Sequence, residues 1–336
     1  MGKKTGKQSV IFENPPHILE AAAIGGKKEG EGPLAAGYDM LLEDEYFGED
    51  SWEMAESNLQ KQTVELLLRK SKMPADKPDF ILSGDLQNQC VGSHYSMRDF
   101  EIPFIGLYGA CSTMTESLML SAMMIDGGFA EYIMCGTSSH FCAAEKQFRF
   151  PLEYGGVRTP TSQWTVTGSG FALLGKNGDS DIKITGATAG RIVDMGVTDI
   201  NNMGAAMAPA AADTLTAHFE DTGIKSSEYD LILTGDLGVI GSDLLRDIMN
   251  ERGYDIYPNH NDCGMLVYDR QKQDVHAGGS GCGCCASVFC GRIFKDLKEK
   301  KYKKIAVMAT GALMNPQVVL QGQSIPCVAH LVTIEV

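Results

Sequence analysis

The feature that most constrains the fold of this chain is an internal duplication. Residues Asp79–Leu86 read DFILSGDL, and residues Asp230–Leu237 read DLILTGDL. Each run predicts a short buried strand that leads into a Gly-Asp turn, because apolar residues are followed directly by turn formers. A chain of 336 residues is long enough for two fused halves of about 150 residues each. The repeat therefore predicts two related halves, which we place at 1–175 and 176–336.

The elements that follow each of these strands are also repeated. The turn Gly109–Ser112 precedes a helix and the strand Tyr132–Gly136, and the turn Gly281–Ser287 precedes a helix and the strand Lys304–Gly311. The distance from the turn's cysteine to the end of the strand is 25 residues in the first half and, counted from Cys285, 26 in the second. Two βαβ-type halves predict an α/β protein with parallel strands, helices on their faces and ligands at the strands' carboxyl ends.

Two segments lie outside this repeat. Gly168–Gly175 and Ile182–Thr188 alternate like strands, and the turn Asn177–Asp179 between them predicts an antiparallel pair. Gly30–Asp50 is acidic and rich in turn formers, but its carboxylates do not follow the ligand spacing of a calcium loop. We interpret this acidic segment as a surface excursion and a candidate partner-binding arm.

Charge and composition limit the partners and the compartment. Asp and Glu number 43 against 29 Lys and Arg, which argues against a nucleic-acid partner and would repel a free dianion at long range. The ten cysteines follow no disulfide framework, and neither a secretory signal nor a run of about 18 apolar residues occurs. We therefore expect a soluble protein made in a reducing cytoplasm. The lysines between Lys295 and Lys304 predict either a solvated helix face or a patch that contacts anionic lipid.

Cys111 is the candidate functional residue with the clearest local context. An apolar strand meets the turn Gly-Ala-Cys-Ser-Thr, and Thr113 and Glu116 form a T-x-x-E pattern that predicts a capping box at the start of a helix. Backbone N–H groups and the helix dipole would stabilise a thiolate or a bound anion there. Cys111 is therefore either a nucleophile or part of an anion site, depending on whether a base lies opposite.

The Cys111 turn and the related second half resemble the thiolase and β-ketoacyl synthase superfamily over almost the whole chain. More narrowly, the sequence resembles the stage V sporulation AD family of spore-forming Firmicutes in Gly6–Pro16, Ser83–Tyr95, Asn259–Asp269 and Met314–Val332. The superfamily resemblance implies a layered α-β-α-β-α fold and a homodimer. The narrower one implies binding of dipicolinic acid (pyridine-2,6-dicarboxylate), or of its calcium chelate, for transport into the developing spore and release at germination. It also implies membrane proteins of the same operon as partners and a peripheral place at the inner spore membrane.

The resemblance also bears on catalysis, because condensing enzymes of the superfamily place a His and an Asn beside the nucleophilic Cys. Aligned on the second strand of the repeat, Gly235 stands where those enzymes have the His, and Cys282 stands where they have the Asn. We therefore expect a degenerate, non-catalytic protein. The alternatives are a Cys111-dependent acyltransferase or condensing enzyme acting on acyl-CoA thioesters, and a purely structural scaffold. The histidines that would supply a base to an enzyme are His140, His260 and His276.

A dipicolinate site needs donors for two carboxylates, a wall for the flat ring and room for calcium carried with the ligand. We expect the helix start at Cys111 to bind one carboxylate, with Arg158 either forked onto the other or held by a nearby acceptor. Asp85 and Asp236, in equivalent Gly-Asp turns, either coordinate the ligand's calcium or bond their own turns. No metal or cofactor of the protein's own is predicted, because the cysteine cluster of the second half lacks the paired spacing of a zinc site. Further polar residues expected at the cavity are Ser112, Ser138, Ser139, His140 and Ser169.

Overall fold

The backbone consists of short strands and helices that alternate along the chain. The computed structural model describes residues 2–148 and 157–336. The strands are β1 Lys3–Thr5, β2 Ser9–Ile11, β3 His17–Gly25, β4 Met40–Leu41, β5 Phe80–Gly84, β6 Phe104–Gly106, β7 Tyr132–Ser139, β8 Trp164–Thr165, β9 Gly168–Gly175, β10 Lys183–Thr188, β11 Leu231–Thr234, β12 His260–Asp262, β13 Gly279–Ser280, β14 Lys304–Ala312 and β15 Cys327–Glu335. The α-helices are α1 Lys27–Gly30, α2 Trp52–Ser71, α3 Val91–Met97, α4 Thr113–Asp126, α5 Phe141–Phe148, α6 Met203–Thr222, α7 Gly238–Glu251, α8 Cys263–Leu266, α9 Cys282–Val288, α10 Phe294–Lys298 and α11 Pro316–Leu320.

One large mixed sheet contains two series of five strands that are arranged alike. Its order is β12-β11-β14-β15-β10 followed by β3-β9-β7-β5-β6. In the first series β6, β5 and β7 run parallel to one another, and β9 is antiparallel to both of its neighbours, β7 and β3. In the second series β12, β11 and β14 run parallel to one another, and β15 is antiparallel to both of its neighbours, β14 and β10. The two repeated sequence runs form β5 and β11, which occupy equivalent places. The structure thus confirms the duplication.

Helices cover and separate the two series of strands. α2 packs on β3, β9 and β7, and α6 packs on β14 and β15. α4 and α9 lie between the series, since α4 contacts both β7 and β15 and α9 contacts β9, β7 and β14. Met114, Leu118 and Ala122 of α4 are fully buried, as expected of a helix that is enclosed on all sides. The layers follow the order α-β-α-β-α, which confirms the predicted fold class.

The predicted antiparallel pair of β9 and β10 is wrong. β9 pairs with β3 and β7, whereas β10 pairs with β15, β2 and the first residue of β3. β3 separates them because its nine residues, HILEAAAIG, are buried enough to form a central strand. The turn between β9 and β10 therefore links the two series and does not close a hairpin.

Part of the acidic segment is packed against the first series. β4 pairs in parallel with β3, and Leu42 is buried. Asp39 accepts hydrogen bonds from the Ala23 N–H and from the Lys70 ammonium, both at 2.9 Å. The interpretation as a surface excursion is therefore wrong for this part, whereas residues 43–50 are exposed or half-buried.

Acceptors surround the lysine-rich stretch at the end of α10. Four lysine ammonium groups contact carboxylates at 2.6–3.3 Å, and this pairing favours the solvated helix face over a free basic patch. The four ion pairs are Lys298–Glu20, Lys300–Asp181, Lys301–Asp296 and Lys304–Glu335.

None of the described helices has the length and apolar character needed to cross a bilayer.

Candidate functional site

The Cys111 turn is held in a strained conformation between the two series of strands. A 3-10 turn, Ala110–Ser112, leads directly into α4. Ala110 has a φ of +49°, a left-handed conformation that is uncommon for a residue with a Cβ. Gly311 of β14 lies so close that a Cβ there would be 1.8 Å from the Gly109 carbonyl oxygen. The turn is therefore closely packed against β14, and the Cys111 side chain is 5% exposed.

Side chains of the turn stabilise the turn itself and not a capping box. The Thr113 hydroxyl donates to the Ala110 carbonyl at 2.8 Å and accepts from the Gly109 N–H at 3.2 Å. The Ser112 hydroxyl donates to the Gly109 carbonyl at 2.7 Å. Glu116 is largely buried, which raises its pKa, and its Oε2 has no hydrogen-bond partner among the described residues. The predicted capping box is therefore wrong, because these side chains bond within the turn.

The Cys111 thiol lies against a carboxyl group from the other half of the molecule. Asp236, directly after β11, is fully buried, and its Oδ2 accepts hydrogen bonds from the Gly281 N–H at 2.8 Å and the Ser280 hydroxyl at 3.3 Å. Its Oδ1 has no hydrogen-bond partner among the described residues, and the Asp236 carboxyl group interacts electrostatically with the Cys111 thiol. The two candidate residues Cys111 and Asp236 are thus brought together.

Burial and this contact set the protonation of both groups. Burial raises the pKa of Asp236 to about 7, although the hydrogen bonds to the carboxylate act in the opposite direction. Burial, followed by the charge of Asp236, raises the pKa of the Cys111 thiol well above its usual value. The expectation that the helix start stabilises a thiolate is therefore wrong, because desolvation and a facing carboxyl group outweigh the helix dipole.

Cys111 lines a narrow pocket with a cavity volume of about 30 Å³. Most of the wall is apolar, as in typical small-molecule sites, and its polar groups include Thr165, whose hydroxyl donates to Glu145 at 2.9 Å. A wider groove shares Tyr108, Phe148 and Met314 with the pocket and continues from it. The described lining residues are Leu86, Tyr108, Ala110, Cys111, Ala144, Glu145, Phe148, Thr165, Met203, Ser280, Ala312 and Met314.

Asp85 occupies the turn equivalent to that of Asp236 but is bonded within its own half. Its Oδ1 accepts from the Gln87 N–H at 2.8 Å, and its Oδ2 accepts from the Ser93 N–H at 2.7 Å and the Ser93 hydroxyl at 2.6 Å. Both oxygens are therefore occupied, one by a donor from Gln87 and the other by donors from Ser93 of α3. Of the two readings of Asp85, the geometry favours the turn-stabilising one over coordination of calcium.

The serines predicted for the cavity are buried in the walls between layers. The Ser138 hydroxyl donates to Glu56 at 2.8 Å, and the Ser139 hydroxyl donates to the Val166 carbonyl at 2.7 Å. Ser169 is buried in β9, and its hydroxyl has no hydrogen-bond partner among the described residues. None of these three, nor Ser112, is among the described lining residues of the pocket. Their local bonds explain Ser112, Ser138 and Ser139 as structural groups.

His140 and Arg158 also lie outside the described pocket lining. His140 is buried at the start of α5, and its Nε2 is 2.8 Å from the Glu45 carbonyl oxygen. The Arg158 guanidinium stacks 4.6 Å from the centre of the Trp164 ring and donates to the Gln163 carbonyl. Arg158 therefore has acceptors and a ring close by, one of the two alternatives that the sequence left open.

Sequence reasoning missed most of the pocket wall. Ala144, Glu145 and Phe148 come from α5, and Met203 comes from the start of α6. Aliphatic and aromatic residues carry no chemical motif, so their convergence on one cavity depends on the tertiary fold. Tyr108 was accessible to sequence reasoning, because it directly precedes the Gly-Ala-Cys turn.

The positions aligned with the catalytic partners of condensing enzymes have distinct surroundings. A Cβ at Gly235 would lie 2.9 Å from the Ala309 Cβ, so this position has no room for a large side chain. Cys282 belongs to the same buried cluster as Cys111, and its thiol donates to the Ser138 carbonyl at 2.8 Å. No histidine occurs among the described pocket-lining residues. His260 bonds Thr234 and Arg246, and His276 is paired with Asp274.

Comparisons with known proteins agree on the family and the fold. The sequence model of the family described as Stage V sporulation protein AD (SpoVAD) matches residues 6–335. Stage V sporulation protein AD of Bacillus subtilis (strain 168) is 45% identical over 333 residues, covering 99% of this chain and 98% of that protein. Among solved structures, 3-oxoacyl-(acyl-carrier-protein) synthase III from Aquifex aeolicus VF5 is similar with a TM-score of 0.59 at 13% identity, covering 96% of this chain and 100% of that one. Human mitochondrial 3-ketoacyl-CoA thiolase is similar with a TM-score of 0.59 at 11% identity, covering 96% and 99%.

Proposed function

Because this chain belongs to the stage V sporulation protein AD family, we propose that it binds dipicolinic acid or its calcium chelate in the Cys111 pocket without catalysing a reaction. The family resemblance that the sequence suggested is thereby confirmed. In this proposal the bound ligand is delivered to membrane partners of the same operon at the inner spore membrane, for uptake during spore formation and release at germination. Family membership is the support for the homodimer and for these partners.

The interaction between the Cys111 thiol and the Asp236 carboxyl group is the main support for our proposal that the protein does not catalyse a reaction. Nucleophilic catalysis by cysteine requires a thiolate, or a neighbouring base that removes the thiol proton. Here the acidic neighbour and the burial both favour the neutral thiol. A site with this electrostatic arrangement is suited to holding a ligand and poorly suited to attacking a thioester.

The chemistry of the pocket supports a flat aromatic ligand with polar ends. Leu86, Phe148 and Met314 offer apolar surface to a ring, and Tyr108 offers an aromatic wall at the mouth. At the inner end, the Ser280 hydroxyl, which now donates to Asp236, and the Cys111 thiol are potential donors to a ligand. In its protonated form Asp236 is itself a donor, which makes this end compatible with a ligand carboxylate.

The acidic groups at the inner end favour the calcium chelate over the free dianion. Asp236 is in contact with Cys111, and Glu145 lines the same pocket. Ionised carboxylates repel a dianion, whereas a one-to-one chelate with calcium carries no net charge and presents a cation that carboxylates can approach. We therefore expect tighter binding when calcium is supplied together with dipicolinate.

Isothermal titration with dipicolinate, with and without calcium, tests this function. We expect saturable one-to-one binding by the wild type and about tenfold weaker binding by Tyr108→Ala, because an aromatic contact contributes about 1 kcal/mol or more. Tyr95→Ala is the matched control, since Tyr95 is 46% exposed and Tyr108 45%, but Tyr95 lies on α3 away from the described pocket lining. The control should bind like the wild type.

Two outcomes would contradict the proposal. The absence of binding by a folded sample in both conditions would leave the scaffold as the better account. A stable mass increase on Cys111 after incubation with acyl-CoA thioesters would favour the Cys111-dependent acyltransferase. Peptide mapping of the modified residue distinguishes the enzyme from non-specific labelling of another thiol.

A further inference from the structure

A second cluster of chemically reactive side chains lies next to the pocket but outside its described lining. In the part of the chain that the structure describes, one group of three potential metal ligands is present, Glu45, His140 and Cys142. One ligand atom from each of these residues lies within 4.8 Å of the other two. We propose that these three residues form a binding site for a zinc-type divalent cation.

The donor set determines the class of metal. An imidazole nitrogen, a thiolate sulfur and a carboxylate oxygen are the ligands that zinc takes in proteins, and three of them leave a fourth position for water. Calcium and magnesium prefer oxygen ligands and do not select thiolates. The proposed site is therefore distinct from any calcium that arrives as part of the dipicolinate chelate.

The geometry needs little rearrangement. With zinc bonds of about 2.0–2.3 Å in a tetrahedron, neighbouring ligand atoms are about 3.3–3.8 Å apart. The His140 Nε2 is already 3.6 Å from the Glu45 Oε2, which is within that range. A rotation of the Cys142 side chain that moves its sulfur about 1 Å towards this pair completes the three-ligand set.

Metal binding replaces one good hydrogen bond and one weak contact. The His140 Nε2 now donates to the Glu45 carbonyl at 2.8 Å, and its Nδ1 is 3.4 Å from the Ala143 N–H. Coordination through Nε2 moves the imidazole proton to Nδ1, and the thiol proton of Cys142 leaves to solvent. The imidazole binds the metal in its neutral form and the cysteine as a thiolate.

A neighbouring hydroxyl and the surface exposure of Glu45 support the site. The Thr167 hydroxyl donates to the Glu45 Oε2 at 3.4 Å and accepts from the Phe141 N–H at 3.1 Å, so it orients the carboxylate relative to the start of α5. The Glu45 side chain is 39% exposed, which gives an ion a path from solvent. Cys142 is half-buried beside it.

A metal here would join the acidic segment to a wall of the ligand pocket. Glu45 belongs to the exposed part of the acidic segment, whereas His140 and Cys142 stand at the start of α5. The same helix carries Ala144 and Phe148 to the pocket lining. The expected consequence is a stiffer pocket wall, which does not depend on the identity of the pocket's ligand.

Cobalt titration of the full-length protein tests the proposal. Co²⁺ occupies zinc sites, and a thiolate ligand gives a near-ultraviolet charge-transfer band. We expect this band to saturate at one Co²⁺ per chain, to disappear on addition of Zn²⁺ and to persist in excess Ca²⁺. Cys142→Ser should lose the band, and Glu45→Gln should weaken Co²⁺ binding by about tenfold or more, since even outer-shell changes cost that much.

The matched control is Cys327→Ser, which removes a buried thiol from β15 in the other half. This variant should keep the band unchanged. The absence of a band at stoichiometric Co²⁺ in folded wild type would overturn the proposal. So would a band that survives in Cys142→Ser, because the thiolate would then come from another cysteine.

Discussion

The two Gly-Asp turns of the duplication have almost the same sequence and different functions in the fold. Asp85 receives three hydrogen bonds from Gln87 and Ser93 at the start of α3, all within its own half. Asp236 receives two from Ser280 and Gly281, and its charge acts on the Cys111 thiol of the other half. A repeated motif thus stabilises its own turn in one half and interacts with the pocket-lining residues Cys111 and Ser280 in the other.

The two turns differ because different groups of the opposite half lie against them. In each half the cysteine of the turn follows a residue with positive φ, Ala110 at +49° before Cys111 and Gly281 at +98° before Cys282. The backbone conformation therefore makes Cys282 the residue equivalent to Cys111 in the second half, whereas the spacing in the sequence had suggested Cys285. Cys111 meets Asp236, but the Cys282 thiol donates to the Ser138 carbonyl.

The largest expected effect is a pH-dependent difference between the wild type and Asp236→Asn. The folded-state pKa of Asp236 is raised to about 7 from a usual value of 3.8. The unfolded chain therefore ionises first, and the wild type loses stability as the pH rises from about 4 to 7. The asparagine variant lacks this loss, so its free energy of unfolding should rise relative to wild type by about 3 kcal/mol between pH 5 and pH 8.

Urea unfolding at the two pH values measures this difference. Asp243→Asn is the control, because the Asp243 side chain is 62% exposed, and its stability relative to the wild type should change little with pH. A difference between wild type and Asp236→Asn that is the same at pH 5 and pH 8 would contradict the buried, proton-binding carboxyl group at Asp236.

The second prediction compares the same substitution in the two turns at neutral pH. In Asp85→Asn, either orientation of the amide places its NH₂ group against a backbone N–H, that of Gln87 or that of Ser93. The unmatched donors should cost about 2 kcal/mol of unfolding free energy. Asp236→Asn should cost less, because the amide oxygen can still accept from Gly281 and the NH₂ group replaces an oxygen that has no hydrogen-bond partner among the described residues. Equal losses in chemical denaturation would show that the turns are equivalent after all.

Local signals in the sequence were sufficient for the elements of the repeat. β5, β11 and the start of α4 follow from short apolar runs and turn formers, and the duplication predicted parallel strands within each half. The place of β3 between β9 and β10 was not accessible, because its partners are remote in sequence. The same limit explains why the hairpin prediction failed.

The sequence singled out Cys111 and Asp236 as candidate residues, but it did not predict the protonation of the thiol. Cys111 and Asp236 stood out because each lies in a repeated, glycine-rich turn. The protonation of the thiol depends on burial and on a carboxyl group from the other half, which no local pattern encodes. Asp85 shows the converse, since a sequence almost identical to that of the Asp236 turn is satisfied by its own helix start.

The central claim is that Asp236, and not Asp85, meets the ligand at the Cys111 pocket, and the affinity for calcium-free dipicolinate at two pH values tests it most directly. Both ligand carboxylates are ionised at pH 6 and pH 8, so the dianion should prefer protonated Asp236. With a pKa of about 7, the dissociation constant of the wild type should rise about tenfold from pH 6 to pH 8, and that of Asp236→Asn less than about twofold. An unchanged wild-type affinity, or a tenfold change that persists in Asp236→Asn, would contradict the account.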